Sequence, residues 1–124
     1  IPTVPVASAM IGTATLGAYD NESNQMWINT EQLANSSVSD IINTIAHETH
    51  HAYVDYLVNT LDWDNPATNT AYFAELRELM ESQENYKSAS YYGYDEYAGQ
   101  PLEVAAREYG EQETAKILAY IERS

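Results

Sequence analysis

All the histidines of the chain, His47, His50 and His51, fall inside one short stretch, "AHETHHAYVDY", with Glu48 next to the first. On a helix turning ~100° per residue, positions four apart stand ~40° from each other, so the imidazoles of His47 and His51 can reach one ion on the same side. Neutral imidazoles suit a borderline-soft divalent cation. A carboxylate beside them can take a proton from a polarised water and pass it to a leaving amine. His-Glu-x-x-His is the zinc-site spacing that joins these two functions. His50, about −60° from His47, could also share an ion with it; His51 is preferred because it leaves Glu48 on the correct flank. The competing reading makes these residues the solvated side of an amphipathic helix.

A catalytic zinc takes three protein ligands and keeps one position open. The chain has no cysteine and no further histidine, so the third ligand must be a carboxylate. The segment "QPLEVAAREYG" places Glu103 in the first turn of a helix among Leu102, Val104, Ala105 and Ala106, where an unpaired carboxylate costs free energy. Coordination of a metal removes that cost. In the competing reading Glu103 favours the helix dipole and pairs with Arg107 four residues on.

These groups need elements to position them. The histidine segment predicts a helix with Ser39 as N-cap and Asp40 in its first turn. Val38, Ile42, Ile45, Ala46, Thr49, Tyr53, Tyr56 and Leu57 form its apolar stripe. It ends before "DWDNPATN" (62–69), which reads as a loop. A connecting helix is predicted from Asn69 or Thr70 to Asn85, with Tyr72, Phe73, Leu76, Leu79 and Met80 inward and Glu75, Glu78, Glu81 and Glu84 outward. A tyrosine-rich loop follows (86–100), with Gly93 and Gly99 letting it move as a lid. The last helix starts at Pro101 and carries Leu102, Val104, Ala105, Ile117, Leu118 and Ile121, with a break at Gly110.

The first third reads as sheet. "TVPVASAMIG" and "TATLGAY" are rich in β-branched and small apolar residues, and the turn cluster "DNESN" (20–24) leads into "QMWIN" (25–29). The expected hairpin pairs Leu16–Tyr19 with Gln25–Asn29, and Pro2 and Pro5 place the first strand at an edge. A short helix or turn is expected at Glu31–Asn35. The fold class is thus α+β: a small N-terminal antiparallel or mixed sheet, then an active-site helix, a connecting helix and a helix bearing the glutamate.

With 124 residues and 44% hydrophobic content, residues 1–124 are expected to form one domain with its own core, and a monomer. The formal charge is −14, and the five basic residues are scattered, so no phosphate-tracking surface can be assembled. Nucleic acid and anionic membranes are therefore excluded as expected partners, whereas cations and basic peptides would be drawn to acidic clefts. Without cysteine there is no disulfide framework. No apolar run approaches bilayer length, and the N-terminus lacks the pattern of a signal peptide. The start at Ile1 suggests a processed or excised domain, secreted or cytoplasmic and bacterial in either case.

The run "HETHHAYVDY" resembles the zinc-binding helix of thermolysin-like gluzincins, in which His-Glu-x-x-His is followed by Ala-x-x-Asp-Tyr, here His47, Glu48, His51, Ala52, Asp55 and Tyr56. The layout of hairpin, active-site helix, connecting helix and glutamate helix over residues 16–109 is similar to that of minigluzincins and small ImmA/IrrE-like metallopeptidase domains. The resemblance implies a zincin-like fold and a zinc-dependent endopeptidase. Its ligands would be His47, His51 and Glu103, with Glu48 as general base and acid and a peptide or protein as substrate. It further implies that Gln25–Asn29 is the edge strand above the cleft, binding substrate through Trp27, Ile28 and Asn29. One of Tyr91, Tyr92, Tyr94 or Tyr97, with Tyr97 preferred, would serve as oxyanion donor. Arg107 and Ala105 stand where the family carries an acidic residue after the third ligand. The partners that orient the imidazoles are therefore expected at Asp55 or Glu108. The large C-terminal subdomain of gluzincins has no counterpart here, so one strand and the loops are expected to grip the substrate. Three functions follow: an active peptidase, a zincin-fold binding or regulatory module with a bound metal and little turnover, and a metal-independent helical interaction domain.

Overall fold

The structure, a computed structural model, describes residues 5–9 and 15–123. The turn after Asp20 forms as its composition predicts. The Asp20 carboxylate accepts from the Glu22 N–H at 3.0 Å and the Ser23 hydroxyl at 2.9 Å, while Asn24 takes the left-handed backbone (φ 51°). It joins strands β2 (Gly17–Asp20) and β3 (Gln25–Asn29) into an antiparallel hairpin. A third strand, β1 (Val6–Ala9), pairs in parallel with β3, giving the order β1-β3-β2. The sheet is therefore mixed, and Gln25–Asn29 is its central strand rather than an edge. The reason lies in the N-terminal segment, which pairs as soon as its proline has passed: the Met26 N–H donates to the Pro5 carbonyl at 2.9 Å. Pro5 thus sits at the start of the strand, where a missing donor costs nothing. The rest of the N-terminal strand signal, residues 1–4 and 10–14, lies outside the described residues.

In β3, Met26 and Ile28 are buried and Trp27 faces outward, as alternation requires. Buried Asn29 caps the short helix α1 (Thr30–Leu33) by accepting from the Glu31 N–H, and it donates to the Thr15 carbonyl.

Helix α2 runs Val38–Thr60, and its N-cap is Ser37, not Ser39. The Ser37 hydroxyl accepts from the Asp40 N–H at 3.0 Å, and the Asp40 carboxylate accepts in return from the Ser37 N–H, a capping box that needs the acid three positions after the cap. The connecting helix also starts later than expected. Two 3-10 turns (Pro66–Asn69 and Ala71–Phe73) precede α3 (Ala74–Glu84), held by Asn65 and Thr68 side chains and by Arg77 donating to the Thr68 and Thr70 carbonyls. The segment read as a tyrosine-rich loop holds two short helices, α4 (Ala89–Tyr92) and α5 (Tyr94–Gly99), hinged at Gly93 with φ 91°.

Helix α6 (Pro101–Arg123) continues through Gly110 without a break. Gly110 is instead the crossing point with α2: a Cβ there would lie 2.8 Å from Asn43 Oδ1 and 3.1 Å from the Asn43 carbonyl. Leu102, Ala106, Gly110 and Thr114 form the buried stripe at four-residue steps. With Gly110 against Asn43 and Glu103 against His47 and His51, the two helices are antiparallel. Val54, Leu79 and Leu102 make the core of α2, α3 and α6. The stripe predicted for α2 is only partly inside. Ala46, Ala52 and Val54 are buried, but Ile45 is 38% and Tyr53 41% exposed, and Val38 is exposed too. Ile117 and Ile121 of α6 are likewise exposed. Among the described residues no helix is long and apolar enough to cross a membrane.

Candidate metal centre

The antiparallel crossing of α2 and α6 brings Glu103, in the first turn of α6, onto the histidine face of α2. His47 Nε2 lies 2.9 Å from Glu103 Oε1. His51 Nε2 lies 3.3 Å from Oε1 and 3.1 Å from Oε2, and the two Nε2 atoms are 3.2 Å apart. The imidazole rings meet at 68° with centroids 5.0 Å apart. His47, His51 and Glu103 form a group that could hold a metal ion. No ion pair joins Arg107 to Glu103 among the described residues; the partners of Glu103 are His47, His51, Tyr86 and Tyr97. The alternative pair His47 and His50 is not the one brought together. The His50 ring turns toward Tyr109 with centroids 5.3 Å apart, and its Nδ1 is buried without a hydrogen-bond partner among the described residues.

Glu103 is 1% exposed, yet the group is built so that its charge is kept. Burial alone would raise its pKa, but hydrogen bonds from His47 and His51, the charge of His51 and the Tyr86 hydroxyl hold it well below the usual carboxylate range. Burial pulls His51 the other way, and Glu103, with help from Glu48, overcomes it and raises the imidazole. Glu48 is pushed up by burial. The charges of His51 and His47 and a backbone hydrogen bond from Tyr19 oppose the rise without cancelling it. A carboxylate with a raised pKa next to two imidazoles is a stronger base than an ordinary surface glutamate.

Tyr97 is placed at this centre, its hydroxyl donating to Glu103 Oε1 at 3.2 Å, while Tyr91, Tyr92 and Tyr94 are exposed. Burial and the charge of Glu103 push the Tyr97 pKa up to about 12, so it stays a donor. Tyr86 was not foreseen. Its hydroxyl donates to Glu103 Oε2 at 2.9 Å, its ring stands at 88° to that of Tyr97, and its pKa is raised by burial and by Glu103. Nothing in the sequence separates it from the other tyrosines of residues 86–97 except its place at the end of α3.

The expected imidazole orienters are elsewhere. Asp55 accepts from Gln83 and Asn59, and Glu108 is exposed. The ring positions are set by Glu103 and by helix packing. Trp27, Ile28 and Asn29 do not line the cleft, because β2 stands between β3 and the centre. A cleft of about 370 Å³ is lined by Gly17, Ala18, Tyr19, Glu48, His51, Tyr86, Tyr97 and Glu103. Asn29 donates its N–H to the Leu16 carbonyl at 2.7 Å, so in the antiparallel register Gly17 and Tyr19 turn their backbone groups to the free edge, toward this cleft. Compared with known proteins, the chain matches no family model, no curated protein and no solved structure.

Proposed function

We propose that the chain is a zinc-dependent peptide hydrolase of the gluzincin type, with a zincin-like fold. The observation that carries this reading is the triangle of His47 Nε2, His51 Nε2 and Glu103 Oε1, with edges of 2.9, 3.2 and 3.3 Å. Tetrahedral ligands at roughly 2.0–2.1 Å from zinc stand roughly 3.3 Å apart. Two imidazoles and a carboxylate, with no thiolate in the chain, are a ligand set of catalytic rather than structural zinc. When bound, zinc would supply a Lewis acid and lower the pKa of water.

In this reading Glu48 accepts the proton of the attacking water at its carboxylate and delivers it to the leaving amine, and its raised pKa makes it the stronger base for the first step. The free edge of β2, at Gly17 and the Tyr19 carbonyl, binds the substrate backbone in extended form; the same role assigned to β3 is not carried forward. Tyr97, the more weakly held of the two hydroxyls on Glu103, donates to the developing oxyanion, and Tyr86 stays on Oε2.

One observation favours a second reading, a metal-holding module with little turnover: both oxygens of Glu103 are already occupied by tyrosine hydroxyls. Glu48→Gln separates the two. On the first reading the variant keeps one equivalent of zinc while cleavage of a peptide library falls by about 10²–10⁴-fold. Cleavage that survives the substitution ends the hydrolase proposal. Zinc binding by a parent protein that cleaves nothing in the library selects the module.

A further inference from the structure

A second hollow, about 740 Å³, is a groove beside the cleft at the histidines, along another face of α2. Its walls are Met26 of β3, Tyr19 of β2, and Ile45, Tyr53, Asp55 and Tyr56 of α2. Successive members of this α2 stripe are the residues whose spacing marks them for a core, yet Ile45 and Tyr53 stay 38% and 41% exposed. The groove has one charged group, Asp55 at its margin. Asp55 Oδ1 accepts from Gln83 at 2.9 Å and Asn59 at 3.1 Å, both neutral donors, and Oδ2 has no partner among the described residues. None of the ion pairs among the described residues includes Asp55, and no lysine or arginine lines the groove. The groove also runs to Thr60 in the last turn of α2, which carries no basic residue to offset its carbonyl dipoles. An anionic margin, four tyrosines (Tyr19, Tyr53, Tyr56 and Tyr109) and an apolar floor match one kind of occupant, an apolar chain bearing a cation.

We infer that this groove docks a peptide segment in which an arginine or lysine is flanked by aliphatic or aromatic residues. The apolar side chains lie against Met26, Ile45, Tyr53 and Tyr56, and the cation meets Asp55 Oδ2 and the ring of Tyr19. The groove shares Tyr19 with the cleft at the histidines but uses none of His47, Glu48, His51, Tyr86, Tyr97 and Glu103, so binding in it is read apart from hydrolysis.

The test is equilibrium binding of a fluorescein-labelled Leu-Phe-Arg-Leu-Phe peptide, read by anisotropy on the Glu48→Gln protein with zinc and with chelator. The control is the same peptide with citrulline, the neutral isostere, in place of arginine. The arginine peptide is expected to bind about tenfold more tightly, an advantage that shrinks in high salt. Asp55→Asn should bring both peptides to the citrulline level while thermal melting stays close to that of the parent, and Tyr53→Ala, at a half-exposed position, should weaken both. Equal binding of the two peptides, or an arginine preference untouched by Asp55→Asn, overturns the inference. Arginine-dependent binding without any cleavage by the parent protein leaves the groove in place and removes the hydrolase.

Discussion

The two faces of α2 reverse the usual disposition of polar and apolar groups. On the face toward α6 and β2, His47, Glu48 and His51 are largely enclosed, and a fully buried carboxylate joins them. On the other, Ile45 and Tyr53 remain open. The polar face tolerates burial because its groups satisfy one another: Glu103 alone meets two imidazoles and two phenols. The apolar face is left open by a mismatch of lengths. Helix α2 has 23 residues and spans ~35 Å, whereas β3, the longest strand among the described residues, has five and spans ~17 Å, about half of it. Polar groups arranged against local preference mark a place where the fold serves chemistry.

The sharpest way to break the contrast is to take the carboxylate from the polar face. Groups that only orient a metal's ligands typically matter by about 10–100-fold in affinity, so Glu103→Ala, which removes a proposed ligand, should weaken zinc binding by more than about a hundredfold. Chelation should lower the melting temperature of the parent protein and leave the variant unmoved, because a metal that ties α2 to α6 stabilises the folded state alone. A variant that titrates with zinc like its parent would remove Glu103 from the ligand set.

The polar face also depends on how closely the helices approach. Gly110→Val puts a branched side chain where even a Cβ would meet the Asn43 carbonyl at 3.1 Å, and overpacking of this kind costs about 1–3 kcal/mol. Glu103 lies two turns from the crossing, so zinc affinity should fall with stability. Denaturant midpoints and a metal titration on the same samples check both, and a neutral result would mean that the helices have room to separate. Tyr86→Phe acts more locally. It leaves Oε2 to His51, and metal affinity should drop by about 10–100-fold while folding stability changes by about 1 kcal/mol. Unaltered affinity would make Tyr86 a packing residue.

What could be read from the sequence follows the range of the rules involved. His47, Glu48 and His51 are set by helical spacing alone; the absence of other ligand types calls for a carboxylate, and the apolar neighbours Leu102, Val104, Ala105 and Ala106 single out Glu103. Turn chemistry placed the hairpin to within a residue. Strand order was not legible, because whether β3 is central depends on the pairing of β1, and the prolines before it signal only where a donor is missing. Helices α4 and α5, with four and six residues, are too short to show a period. Gly110 reads as a breaker in one dimension and as a close contact in three. Tyr86 has the same side chain as its neighbours, and only the meeting of α3 with α6 distinguishes it.

Adjacent residues on the two sides of α2 bear on stability alone, and the smaller effect is expected from the larger side chain. Val54 is 2% exposed and packs with Leu79 and Leu102; Val54→Ala removes two methyl groups from a close-packed place and should cost about 2 kcal/mol. Tyr53, the larger side chain, looks the costlier to truncate by size alone. It borders the groove at 41% exposure, so Tyr53→Ala should change stability by only about 0.5 kcal/mol. Urea unfolding of both variants gives the comparison directly. If Tyr53→Ala proves the more damaging, the face drawn here as open is covered in solution, and the groove is part of the core that its spacing first suggested.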